Sequence, residues 1–404
     1  MDNGSHGCQG RGATLIGSAG ETNPPKTLGG NRYTLSEWAG AFGDLGTFIP
    51  FVAAYVVVLG IDATCIFVCF GVALVVVGLT LRTPFPVQPM KAIGAVAVGQ
   101  AAVSGVVTPA VVTAAALATG VIWLVLGLTG LARVAAQWVP RAALLGVVMG
   151  LGFTFMLEGL RLMASSPWIA GLLFVVTLGL NGRRNMPGML VLLMLGIPVA
   201  LVNDGQLGAR LLAIRPEFKL PSPAWGALAW SDLWTGLVLL ALPQLPLTFG
   251  NALLSITEEN NRLFPMRRVG ERQVAISTGL MNLGAGAFGG IPMCHGAGGM
   301  AGHVRFGART GGSSVILGVI LLGVGLFFAG SVDVLFAIFP RSVLGVILFL
   351  AGLELAMGSR DDAGEKVDRF IVLSTAALTT WNVGLAVLFG WAAHQAFRRG
   401  WFKP

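Results

Sequence analysis

Lys91 is a lone cation inside a long apolar stretch, in the segment FPVQPMKAIGA that begins at Phe85. A second segment of the same make, GGIPMCHGAGG, begins at Gly289. Each sets a proline and hydrogen-bonding side chains at the start of a helix too short to cross a membrane. The end of such a helix aims unsatisfied N–H groups and roughly half a positive charge at the space before it. Two ends facing each other, together with the Lys91 ammonium, carry about +2 of positive character and a cluster of donors. A tetrahedral dianion has the matching chemistry. Gln88 and His295 add side-chain donors, while Gly296, Gly298 and Gly299 let an oxyanion approach the backbone closely. Pro89, Met90, Cys294 and Ala297 complete the two stretches that would surround it. Asp44 and Thr47 face the same region from the first apolar segment, and Gln244, Thr248 and Asn251 do so from the eighth. The last three lie at i, i+4 and i+7, one helical face.

Each of these residues also has a purely structural reading. Lys91 and Asp44 can neutralise each other as a buried pair, although charges inside a membrane default to function. His295 can cap or pack a helix. Gln244, Thr248 and Asn251 can hold helices together by hydrogen bonds, and Cys294 reads first as a packing residue. Glu258 and Glu259 stand near Arg262, Arg267 and Arg268 and read as an interfacial ion-pair cluster. Glu158 and Glu354, late in segments five and twelve, are harder to place, with a functional role open beside a structural one, and His303, next to Arg305, reads as interfacial.

The elements that must position these groups follow from composition. Hydrophobic residues make up 55% of the 404, charged residues 11%, and mean hydropathy is +0.79. A soluble globular chain carries more than twice that charge, so this is an all-α polytopic membrane protein. Its 58 glycines suit closely packed spanning helices. The four cysteines have no zinc or redox spacing, and Cys65 and Cys69 fall on one apolar helix face. Fourteen apolar segments begin near residues 37, 63, 85, 110, 140, 167, 187, 232, 272, 291, 312, 335, 368 and 382. Several are shorter than the roughly 20 residues needed to span. With both termini cytoplasmic, twenty of the 26 Lys and Arg residues fall inside, five outside, and Lys91 within the membrane. That bias follows the positive-inside rule and accounts for the net charge of +8 without a nucleic-acid partner.

The chain also repeats. PRAALLGVVMGLGF at Pro140 matches PRSVLGVILFLAGL at Pro340, and Thr47-Phe48 matches Thr248-Phe249. Seven segments per copy is an odd number, so the second copy enters the membrane inverted, and paired broken helices in the two copies mark the binding site of such transporters. The expected division is a disordered cytoplasmic tail at 1–35, a first repeat at 36–204 and an extracytoplasmic linker at 205–231. A second repeat follows at 232–398, and a tail at 399–404.

GAFGDLGTFIPF from Gly40, PVQPMKAI from Pro86, LPQLPLTFGNALLS from Leu242 and FGGIPMCHGAGGMAGHVRFGARTGG from Phe288 resemble signature stretches of the molybdate transporter family, distant relatives of sulfate permeases. The resemblance runs from about residue 36 to 395. It implies fourteen spans as seven plus seven inverted helices, with segments 3 and 10 as half-helices flanking the substrate. It further implies a core domain (segments 1–4 and 8–11), a gate domain (5–7 and 12–14), and oxyanion uptake at the cell membrane. Sulfate permeases append a cytoplasmic regulatory domain; none is expected after segment fourteen here.

The resulting expectation is a secondary transporter that imports molybdate by alternating access. An ionised Asp44 would repel the bound dianion, so its protonation on binding would couple uptake to protons. The alternatives are a sulfate or broad-oxyanion carrier, an anion channel of the same fold, and an uncharged-substrate permease of the nucleobase kind. Lys91 argues against the last. There is no G-x-x-x-x-G-K-[ST] loop for nucleotides, no metal-ligand cluster and no nucleophile–base pair. No enzymatic activity, cofactor or metal is therefore expected, and the partners are the oxyanion, the lipid bilayer and a second copy in a homodimer.

Overall fold

The computed structural model describes residues 30–91, 93–94, 96–97, 106–137, 139–180, 188–224, 228–358 and 366–400. Most of the expected tail at 1–35, and residues 401–404 of the other tail, lie outside these. The chain is built of helices: α1 (Leu35–Ala41), a 3-10 turn at Phe42–Asp44, α2 (Leu45–Leu59), α3 (Ala63–Leu81), α4 (Pro109–Leu128), α5 (Leu131–Gln137), α6 (Arg141–Met163), α7 (Pro167–Gly179), α8 (Gly188–Asn203) and α9 (Leu207–Leu212). The second half continues with α10 (Trp230–Thr235), α11 (Leu242–Leu247), α12 (Ile256–Leu263), α13 (Glu271–Ala287), α14 (Ala297–Arg305), α15 (Gly312–Phe327), α16 (Val332–Ala337), α17 (Arg341–Gly358), α18 (Lys366–Thr379) and α19 (Val383–Arg398).

Local chemistry sets the ends. The Asp62 carboxylate accepts the Thr64 N–H at 2.8 Å and caps α3; Thr108 caps α4 with Pro109 following, the position where a missing N–H costs nothing. Outward faces stay apolar: Val72, Val76, Leu79, Val121, Val125, Leu172 and Leu373 are all exposed. Such a surface is stable only against hydrocarbon. Four described helices or continuous stretches are long and apolar enough to cross a bilayer, six if each of two bent pairs counts as one. The protein is a multi-pass, mostly helical membrane protein.

Glycines set how closely the helices approach. A Cβ added at Gly152 would stand 2.6 Å from the Gly352 carbonyl oxygen, and one at Gly352 would stand 2.6 Å from that of Gly152. Seven residues on, Gly159 faces Gly345 in the same reciprocal way. One partner advances seven residues while the other retreats seven, so α6 and α17 run antiparallel with backbones in contact. The same step joins α3 to α15 through Gly71–Gly318 and Gly78–Gly311. Between α4 and α13 glycines alternate with large residues: Gly120 meets Leu283, Gly127 meets Ile276, Gly279 meets Leu124 and Gly286 meets Leu117. Close backbone approach of this kind replaces the hydrophobic drive that lipid abolishes.

Two short strands cross the middle. Gln88–Pro89 pairs antiparallel with Met293–Cys294, Gln88 opposite Cys294 and Pro89 opposite Met293. These strands, β1 and β2, lead into the helix that begins at Lys91 and into α14. α14 has nine residues, about 13.5 Å of rise, too short for the roughly 30 Å hydrocarbon layer. Residues 98–105, the rest of expected segment 3, lie outside the described residues.

The stretch from Trp230 to Leu263 contains Pro243 and Pro246, which cannot donate to the helical ladder. It relaxes into wider π-helical turns at Gly236–Ala241 and Thr248–Ser255 and bends by 50°.

Candidate functional site

The β1–β2 pair is what brings the two proline-broken segments together. The Met90 N–H donates to the Pro292 carbonyl at 2.9 Å, and Gly94 N–H to Met90 at 2.9 Å, which opens the helix at Lys91. On the other side Asn282, from α13, grips β2 like a strand edge. It accepts the Met293 N–H at 2.9 Å and donates to the Met293 carbonyl at 2.6 Å. Gly296 precedes α14, accepting the Gly299 N–H at 3.0 Å, and the first-turn N–H groups point into the space before the helix.

Asp44, Thr47, Gln88, Gln244, Thr248, Asn251, Cys294 and His295 are all buried, and Lys91 Nζ is enclosed. The Asp44 carboxylate accepts hydrogen bonds from the Thr47 hydroxyl and from the Gln88 side-chain amide. Gln88 also donates to the Thr47 hydroxyl oxygen at 2.9 Å. The donors of Thr47 and Gln88, expected on the anion, are thus turned toward Asp44. What Gln88 presents instead is Oε1, buried without a donor and beside Gly296.

His295 also has partners within the protein. One ring nitrogen lies 2.8 Å from the Pro86 carbonyl oxygen and the other 2.9 Å from the Ser277 hydroxyl. The Phe85 ring meets it edge-on, centroids 5.0 Å apart. Both nitrogens are engaged in tying α13 and β2 to the segment before β1, so the side chain offers no N–H to an anion. His303, expected at the interface, is fully buried.

Gln244 and Thr248 hold helices together. Gln244 accepts the Ile93 N–H at 3.1 Å and donates to Thr248 at 3.0 Å, supplying the cap that the helix at Lys91 lacks from its own sequence. Asn251 keeps its place on the same face beside Gly296, with a buried oxygen that has no donor among the described residues.

Lys91 is enclosed, and its ammonium makes no hydrogen bond to any described residue. It lies 3.7 Å from the centroid of the Phe155 ring. Phe155, on α6, carried no mark in the sequence beyond the glycines around it, and neither Asn282 nor Ser277 was distinguishable from other polar helix residues. Among the described residues no group of three or more His, Cys, Asp or Glu could hold a metal.

Outside the centre, Glu259 pairs with Arg262 at 2.8 Å as expected, whereas Glu258 reaches Arg141, at 4.0 Å, and Arg267 donates to the Arg82 carbonyl. Glu354, on α17, meets Arg305 at the end of α14 at 3.5 Å. Glu158 pairs with Arg161 at 3.1 Å on the surface.

Comparison with known proteins adds sequence and fold kinship. The family described as molybdate transporter of the MFS superfamily matches residues 36–155 and 236–355, two stretches of equal length in the two halves. The chain is 33% identical to Molybdate transporter 2 of Arabidopsis thaliana, over 88% of this chain and 85% of that protein. It is 30% identical to Molybdate transporter 1 of the same plant, over 86% and 84%. In fold it is similar to the transmembrane domain of a cyanobacterial bicarbonate transporter, BicA, with TM-score 0.54 and 18% identity over 88% of this chain and 98% of that one. Murine Slc26a9, an anion transporter solved in the inward-facing state, gives TM-score 0.56 at 13% identity over 92% and 69%.

Proposed function

The chain belongs to the molybdate transporter family, and on that premise we propose that it is a secondary transporter importing molybdate across the cell membrane by alternating access. The observation that carries this reading is the β1–β2 pair. It joins the segment that carries Lys91 to the segment that opens α14, and an ammonium beside a helix N-terminus would favour a compact dianion. A transporter of this kind needs no enzymatic chemistry.

The full architecture is part of the proposal. Fourteen spans form two inverted sets of seven, at 36–204 and 232–398, joined by an extracytoplasmic linker at 205–231, with both termini cytoplasmic. The segments at Lys91 and at α14 are half-helices. Segments 1–4 and 8–11 form a core that moves against a gate formed by the others, and two copies form a homodimer. The antiparallel glycine contacts between halves support the inversion.

Within the site, Lys91, Asn251 and the backbone of Gly296, Ala297 and Gly298 bind the anion, and Pro89, Met90 and Cys294 wall it. Thr47, Gln88, Gln244, Thr248 and His295 hold the binding groups in place. Asp44 takes up the coupling proton. Uptake of labelled molybdate into proteoliposomes, with sulfate and tungstate as competitors, tests the reading. Saturable uptake that sulfate blocks as well as unlabelled molybdate would make the protein a broad-oxyanion carrier.

A further inference from the structure

Phe155 lies against both positive features of the site at once. Its ring takes the Lys91 ammonium on its face at 3.7 Å from the centroid. Its edge packs against the first turn of α14 at Gly298, where a Cβ added to the glycine would stand 2.6 Å from the Phe155 Cζ. The residue is 5% exposed. Its stem is fixed from behind, where a Cβ at Gly352 would stand 2.8 Å from the Phe155 Cβ.

An oxyanion bonded to Lys91 needs an oxygen about 2.7–2.9 Å from Nζ. Nζ is enclosed and has no hydrogen-bond partner among the described residues, so no open direction remains for that oxygen. Something must leave first. The backbone on the Gly298 side is fixed by the helix, whereas the Phe155 ring turns about two side-chain bonds. The face of an aromatic ring is the negative pole of its quadrupole. It satisfies an ammonium weakly and carries no charge, so a dianion can outcompete it and a neutral solute cannot.

We propose that Phe155 is a plug that occupies the anion seat when substrate is absent, holds Lys91 in place, and is expelled by the arriving anion. The proposal rests on the anion reading of the site and deepens it. Phe155 then selects for charge, because only a ligand that binds Lys91 more strongly than the ring gains entry. It also links occupancy to α6, and through the Gly152–Gly352 contact to α17.

Calorimetric titration of the purified full chain with sodium molybdate tests this, using the parent, Phe155→Ala, Phe155→Leu and Lys91→Ala. Removing the competing ring should tighten molybdate binding about tenfold in Phe155→Ala, with a smaller gain in Phe155→Leu, which keeps bulk and loses the ring face. Should Phe155→Ala fail to give a monodisperse protein, Phe155→Leu carries the same comparison. Unchanged or weaker binding in the folded variant, with binding still dependent on Lys91, overturns the plug and makes Phe155 a wall of the seat. Binding that is equal in Lys91→Ala and the parent overturns the anion reading itself, and the plug with it.

Discussion

Gln244 accepts the backbone N–H of Ile93 across 3.1 Å, so a side chain from the second half of the chain caps a helix in the first. Gln244→Leu keeps the volume and removes the acceptor, which leaves a buried N–H unsatisfied at a cost of about 1–3 kcal/mol. Thermal unfolding of the purified protein should show a lower midpoint for Gln244→Leu and a smaller change for Gln244→Glu, which retains an acceptor. Equal midpoints for parent and Leu variant would mean that the cap is not needed.

Lys91→Ala should weaken molybdate binding about tenfold to a hundredfold, the worth of a desolvated charge-assisted contact. Pro89-Met90-Lys91 and Pro292-Met293-Cys294 share their first two residues, and Cys294 stands opposite Gln88. Moving the ammonium across the pair, in Lys91→Cys with Cys294→Lys, should therefore restore part of the loss. Titration of the three proteins decides; a double variant no better than Lys91→Ala shows that the position of the charge matters as much as its presence.

Gly296→Val and Gly298→Val should abolish uptake while protein still reaches the membrane. The added side chains meet Gln88 Oε1 at the first position and the Phe155 ring at the second. Because Gly298 and Phe155 touch, Gly298→Ala combined with Phe155→Ala should be more stable than the two single effects add up to, with a coupling of about 0.5–3 kcal/mol. Strictly additive melting behaviour would place the two side chains out of contact.

Asp44→Asn retains an oxygen able to accept from Thr47 and Gln88, so the fold and molybdate binding should persist. What should disappear is accumulation driven by a proton gradient and its response to external pH. A variant that concentrates molybdate in liposomes with the parent's pH profile rules out Asp44 as the coupling group.

The meeting of FPVQPMK with GGIPMCH was legible because prolines and glycines interrupt apolar runs at matching places in two related halves, and α14, which the second run starts, has only nine residues. Lys91 was legible as the one charge inside such an apolar run. The roles of Thr47, Gln88 and His295 were not. A donor's residue type says that it will find an acceptor but not which one, and here Asp44 takes the donors of Thr47 and Gln88 while Pro86 and Ser277 flank the His295 ring. The i, i+4, i+7 pattern of Gln244, Thr248 and Asn251 assumed 3.6 residues per turn. That helix instead runs through π turns, yet all three side chains remain buried. Phe155 escaped notice because one phenylalanine among 23 in an apolar helix looks like packing until its neighbours are known.

The glycine contacts between α6 and α17, and between α3 and α15, also limit how the protein can deform. Their rungs are seven residues apart, about 10.5 Å along the axis, and at each rung two backbones touch with no side chain between them. Sliding either pair by one residue would bring a Cβ against the opposite carbonyl, so each pair resists shear and behaves as a single stiff bar. A displacement at one end of a bar is therefore carried along it, and the more compliant joints of the molecule lie between bars, where side chains separate the helices.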